Sequence, residues 1–347
     1  MRRLVGIFVA ACFYYSGLVK LARWRRQRSG PHLVILCYHR ASGGDLRRHL
    51  LYLRRHYRIL HLEEALEELY GSSEKRKQGR DRRTPLVLTF DDGYYDSYTH
   101  SFALARELQV PMTIFLIPGY IESGDRFWWL EGDRLVHRAK INEAVIEGDT
   151  YNLEEPNERK LLAQRIDARL RHARSVAERE AFLTKVREIL AAPSSLPLEE
   201  EAVRPLTWAE VHKMEESGWI SFGAHTMHHP ILAYLSCPEE VRREVGECRS
   251  VLEQQLGHPV RAFAYPVGKT EHIGEEALQA VRESGYAWAV TTIRAINTLQ
   301  GDPHRLGRVM GDVDRHWLIA AAEVSGVWHF FSPLWKRKNS TTGESGR

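Results

Sequence analysis

Two short strings, far apart in the chain, carry side chains suited to one metal ion. They are Thr89-Phe90-Asp91-Asp92-Gly93 and His225-Thr226-Met227-His228-His229. One carboxylate and two imidazoles supply three ligands and leave a coordination position open. That is the arrangement of a hydrolytic centre, not of a closed structural one. A second carboxylate beside the first could take a proton from an attacking water. Each string alone has a plainer explanation. Asp-Asp-Gly is a common turn, because Gly tolerates positive φ and Asp bonds its own backbone. His-x-x-x-His on a helix puts two rings on one face, where water can satisfy both. Pro230, directly after His229, points to a tight local turn that fixes the pair.

The elements around these strings strengthen the reading. Pro85 to Phe90 is an apolar, β-rich run, and Asp91, Asp92 and Gly93 come where that strand must end. Trp219 to Ala224 is another such run, and His225 follows it. A third string, Phe263-Ala264-Tyr265-Pro266-Val267-Gly268, is a strand running into a Pro/Gly turn. All three place their chemistry at the carboxyl end of a strand, where α/β proteins build active sites.

Together the three strings resemble the motifs of the polysaccharide deacetylases, carbohydrate esterase family 4, also called the NodB homology domain. His225 to Pro230 matches that family's His-[Ser/Thr]-x-x-His-Pro motif. Val34 to Arg40 is similar to the Tyr-His-Arg opening strand of one branch. The resemblance runs from about Leu33 to Val313. It implies a distorted (β/α) barrel and removal of acetyl groups from N-acetylated, less often O-acetylated, sugars. It implies that Asp92, His225 and His229 bind a divalent metal, most often Zn2+, and that Asp91 is the general base. The backbone N–H of Val267 would face the oxyanion, with Tyr265 and Pro266 shaping the turn around it. His228 receives no role and is expected to be exposed. Two departures stand out. Ala264 occupies a position where many members carry Arg, and no late His sits at the usual spacing for the general acid. His39, His304 and His316 are the candidates, with His39 or His304 preferred.

Composition sets the outer bounds. The 347 residues are 43% hydrophobic, enough for one large barrel with an insertion or for two domains. The net charge of +4 spreads over charges of both signs and, with no basic motif interleaved with aromatics, gives no nucleic-acid signature. Cys12, Cys37, Cys237 and Cys248 show no paired spacing and imply no disulfide framework. Strands alternate with helical stretches, as in a parallel barrel. Thr207-Trp208-Ala209-Glu210 is a capping box with Gly218 as its stop, and Ser236 to Glu239 opens a helix in the same way. Leu60 to Tyr70 carries apolar residues at helical spacing, and a further helix is expected over Tyr95 to Leu108.

The stretch 121–205 is too long for an ordinary connection and reads as a helical insertion. Its amphipathic halves carry Leu161, Leu162, Ile166 and Leu170, then Phe182, Val186, Ile189 and Leu190. Phe127-Trp128-Trp129 at its root is expected to pack rather than to receive a sugar ring. Leu4 to Val19 is apolar, short for a spanning helix, and flanked by basic residues. The charge bias keeps its heavier flank in the cytoplasm, whereas action on an exported glycan needs the domain outside. Trp317 to Trp335 is a second apolar, aromatic stretch followed by Lys336-Arg337-Lys338.

The expected organisation is a membrane-associated segment over 1–30, a deacetylase domain over 31–318, and an apolar helix with a polar tail over 319–347. The expected function is metal-dependent N-deacetylation of N-acetylhexosamine units in an envelope or exported polysaccharide, or in its lipid-linked precursor. The expected partners are that acetylated glycan and a membrane, not nucleic acid. The rivals are an O-acetyl esterase or amino-sugar deformylase on the same site, and an inactive glycan-binding member of a synthesis complex.

Overall fold

The computed structural model describes residues 2–72, 81, 83–192 and 198–330. Its centre is a nine-stranded sheet. β1 (His32–Tyr38) is buried along its whole length, as a strand covered on both faces must be. β2 (Arg58–Leu60) and β3 (Pro85–Phe90) follow, and β3 runs parallel to β1 with Val34 opposite Leu86 and Tyr38 opposite Phe90. The order then continues through β4 (Met112–Leu116), β7 (Ile220–Ala224), β8 (Ala262–Ala264) and β9 (Trp288–Val290), all parallel. The sheet curls into a half-barrel. Leu306 bridges to Val290 in β9, while β11 (Val309–Met310) pairs with β1 and β10 (Asn297–Thr298) adds an antiparallel edge. The parallel, barrel-like α/β fold expected from the sequence is the fold observed. Every strand that bears a motif ends on the same rim.

Several local expectations hold. Thr207 and Glu210 form a reciprocal capping box on the helix Trp208–Glu215. A helix covers Leu62–Tyr70. Two differ. Ser97–Ser101 forms a π-helical turn before the α-helix Phe102–Leu108, and its buried Ser101 hydroxyl donates to the Ser97 carbonyl. Ser236 does not cap the helix Pro238–Leu256; it is held by the Arg174 carbonyl of the insertion, and Cys237 takes the cap position without a side-chain bond.

The insertion has its own apolar cluster, separate from the cluster between sheet and helices. Its two long helices, Pro156–Arg171 and Val176–Leu190, bury Leu162, Ile166, Leu170, Val186 and Leu190, while Leu161 stays exposed. It also contains a hairpin, β5 (Glu143–Ile146) and β6 (Asp149–Asn152), that the helical reading did not include. At the chain's start, α1 (Arg2–Tyr15) and α2 (Leu18–Gln27) pack on the helix Trp317–Ser325. The part of the second apolar stretch beyond residue 330, with its basic run, lies outside the described residues.

Candidate metal centre

The site begins where β3 stops. Asp91 is 1% and Asp92 5% exposed, so both carboxylates are withdrawn from water. The backbone turns sharply there: Asp92 has φ 73° and Gly93 φ 70°. A Cβ on Gly93 would lie 2.8 Å from the Leu116 side chain, so glycine is required as well as permitted. A left-handed Asp is costly, and such strain gathers where a side chain must be aimed. The turn separates the two neighbouring carboxylates into different surroundings.

Asp92 faces the imidazoles. Its Oδ1 lies 3.4 Å from Nε2 of His225 and 3.6 Å from Nε2 of His229. The three ligand atoms lie within 4.8 Å of one another, and all three residues are buried. His225 follows β7 directly. Its Nδ1 is 2.7 Å from the carbonyl of Ala264 at the end of β8, which fixes Nδ1 as the donor and leaves Nε2 with a lone pair. The third motif therefore contributes a backbone acceptor to the second. His229 is brought round by left-handed Thr226 and His229 backbones and by its own N–H donating to the Thr226 hydroxyl. Trp128 donates its indole N–H to the His229 carbonyl, and the Trp129 ring lies 4.4 Å from the His229 ring. Phe127 and Trp128 are buried and pack, as expected; half-buried Trp129 also touches the His229 ring.

These residues fit a divalent cation. Asp92 Oδ1 is buried without a hydrogen-bond partner, between two imidazole nitrogens. Leaving a buried carboxylate oxygen bare is costly unless a cation takes it. Burial and the neighbouring His225 hold His229 down to about 3, so its ring is neutral and able to ligate. Burial raises Asp92, but His225, His229 and His39 together outweigh it and hold the carboxyl below its usual range.

Asp91 is held by a residue the sequence reading did not single out. Arg308, wholly buried just before β11, reaches both its oxygens at 2.7 Å. This is the bidentate fork that matches guanidinium to carboxylate. Arg308 also donates to the Thr291 carbonyl and the Thr89 hydroxyl. Cys37 Sγ lies 3.3 Å from Asp91 Oδ2. A carboxylate offers about four lone-pair directions, so about one remains for a substrate-side proton. Burial pushes Asp91 up, and the Arg308 charge and hydrogen bonds, with His225 and His39, together more than offset it, leaving Asp91 ionised at neutral pH. The signal available in the sequence was the missing Arg at Ala264, which left a buried carboxylate without a counter-charge.

The general-acid candidates separate. His39 groups with Cys37 and Asp91 within 4.8 Å, is open to solvent, and is among the groups that lower Asp91 and Asp92. The loop after it is pinned by buried Asp96, which accepts from Arg40 Nε at 2.8 Å and from the Ala41 and Ser42 N–H groups. His304 is turned away, with Nε2 against the Tyr286 carbonyl and its N–H on Asp302. His316 caps the helix Trp317–Ser325. The Tyr265 side chain is buried and donates to the His304 carbonyl, so only the backbone of this motif is offered to a ligand. Pro266 and Val267 form the turn; Val267 has φ 59°, and among the described residues its N–H has no acceptor. His228 is not idle. Its ring and N–H both bind Glu244, a buried carboxylate, at 2.7 and 2.9 Å, which clamps the loop between His225 and His229.

Comparison with known proteins gives a family and a fold. The polysaccharide deacetylase family model matches residues 78–289, more than half of the chain. No curated protein matches it. Among solved structures, the Streptococcus pyogenes deacetylase PplD in complex with acetate superposes with a TM-score of 0.55 at 17% identity, over 85% of this chain and 99% of that one. IcaB from Ammonifex degensii gives 0.53 at 20% identity, over 85% and 98%. A de-N-acetylase from Aggregatibacter actinomycetemcomitans gives 0.53 at 13% identity, over 84% and 99%.

Proposed function

As a chain that belongs to the polysaccharide deacetylase family, this protein is a deacetylase, and we propose that it is a metal-dependent N-deacetylase of N-acetylhexosamine units in an envelope or exported polysaccharide. The observation that carries the metal dependence is the bare, buried Asp92 Oδ1 between two imidazole nitrogens. Asp92, His225 and His229 hold the ion, and two nitrogens with one carboxylate suit zinc. Bound there, it supplies Lewis acidity and lowers the pKa of a water from 15.7 to about 7. Asp91 accepts that water's proton while Arg308 keeps the carboxylate ionised and aimed. The Val267 N–H is offered to the developing oxyanion, where one such donor is typically worth about a hundred- to a thousandfold. His39 gives a proton to the leaving amine. One of the similar structures is a de-N-acetylase, which supports amide over ester as the substrate bond.

Two results test this. Acetate release from N-acetylglucosamine oligomers is expected to fall by about a hundredfold or more on chelation and to return with zinc. Undiminished activity in chelator would remove the metal from the scheme. An O-acetylated oligomer and a formate readout run alongside separate ester cleavage and deformylation, and no release from any of them leaves a glycan-binding role. The acid is tested separately. His39→Ala is expected to lower kcat about tenfold or more, with His304→Ala near wild type. The reverse pattern would move the proton donor to His304.

A further inference from the structure

The first two helices form a surface that the catalytic scheme does not use. On α1, Leu4, Phe8, Cys12 and Tyr15 repeat at helical spacing on an outward row, and Leu4 and Phe8 are 71% and 69% exposed. Val5 widens that row. On α2, Leu21 and Trp24 are exposed in the same way, beside exposed Lys20, Arg25 and Arg28, and the Arg28 guanidinium lies 4.0 Å over the Trp24 ring. Soluble surfaces rarely gather so many large apolar side chains in one place.

The inner faces of both helices are committed to the body of the protein. Ala10, Val19 and Ala22 are buried in a cluster with Leu318, Ala322 and Val327. Tyr14 stacks edge-on against Trp317, and Arg26 donates to the Val324 carbonyl at 2.6 Å. Among the described residues no single helix is long and apolar enough to cross a bilayer. α1 and α2 together have the length and composition, but the chain bends by 65° between them, at left-handed Gly17. Straightening the pair to span would strip those buried contacts. Lying flat keeps them and still covers the outer rows.

We infer that the outer faces of α1 and α2 dock on an anionic membrane surface. They lie in its interface as a bent amphipathic pair held rigidly on the catalytic body. Charge selects this occupant. Residues 1–28 carry seven Lys or Arg and no Asp or Glu. A second copy would bring the same positive field against it. The chain's own residues 331–347 are also net basic, with four Lys or Arg against one Glu. Anionic headgroups complement that charge, and the aromatic Phe8, Tyr15 and Trp24 suit the headgroup layer.

The test is co-sedimentation of the full chain with vesicles of phosphatidylcholine alone and of phosphatidylcholine with phosphatidylglycerol. The chain is expected to pellet with the anionic vesicles and to be released by salt. Phe8→Asp with Val5→Asp, and separately Lys20→Glu with Arg28→Glu, are each expected to weaken binding about tenfold or more. Both pairs are exposed, so melting temperature and acetate release from a soluble oligomer should stay at wild-type values. Failure of the chain to pellet, or pelleting undiminished in both variants, overturns the inference. So does a wild-type dimer that Phe8→Asp turns into a monomer, since a second copy then covers the face. Acetate release is read independently, so any of these outcomes leaves the deacetylase reading standing.

Discussion

Asp91→Asn is expected to lower kcat for acetate release by about a hundred- to ten-thousandfold while zinc still binds, a span typical of a lost general base. The two neighbouring carboxylates have different surroundings, and this variant exploits the difference. Asp92 faces two imidazoles, whereas Asp91 faces Arg308 and Cys37. An amide at position 91 keeps the shape of the side chain and one oxygen for the guanidinium, but it cannot accept the proton. Metal retention, read by bound zinc per chain, should therefore be unchanged, whereas Asp92→Asn should reduce it. An Asp91→Asn enzyme within about threefold of wild-type kcat would show that proton removal is handled elsewhere, with His39 the next candidate on that rim. A loss of zinc together with activity would mean that the two carboxylates share the ion and that the division of labour is wrong.

The candidate ligands were legible because each is local to a strand end. β3 delivers Asp91 and Asp92, β7 delivers His225, and the short turn to His229 follows within five residues. Their strand context could be read from neighbours alone. The supports were not legible, because they come from elsewhere in the chain. Arg308 meets Asp91 across 217 positions, and Asp96 pins the loop after His39 from 54 to 56 positions away. Both Arg308 and the His39 strand also fall outside the span matched by the family model. Nothing around His228 announces that Glu244, on a later helix, will hold it. The hairpin β5–β6 was a different kind of miss. Ala144 and Ile146 are buried while Glu143 and Val145 are exposed, a plain two-residue alternation. Glu147 and Gly148 both take positive φ, as a tight hairpin turn requires. That signal was present and was overshadowed by the long amphipathic helices that follow it.

Arg308→Met should cost about 3–5 kcal/mol of stability, the usual consequence of leaving one member of a buried ion pair without its partner. Urea melts of the otherwise full chain measure it. The size follows from the surroundings. Arg308 is 0% exposed and Asp91 1%, so neither charge can turn to water when the other is removed. The Thr291 carbonyl loses its Arg308 hydrogen bond as well. Adding Asp91→Asn to Arg308→Met should recover part of the loss, because the double variant buries no bare carboxylate. That recovery distinguishes a paired charge from a merely well-packed side chain, for which the two losses would add. Catalysis should separate the same two ideas. In Arg308→Met the orphaned carboxyl is pushed upward by burial, since the guanidinium is the largest of the influences holding it down. The fraction of enzyme with an ionised base then falls as pH falls, so the acidic limb of the kcat profile should move to higher pH. A profile that keeps its wild-type position, in a variant as stable as wild type, would leave Arg308 as filler beneath the sheet. The counter-charge for Asp91 would then have to come from the ion proposed beside it.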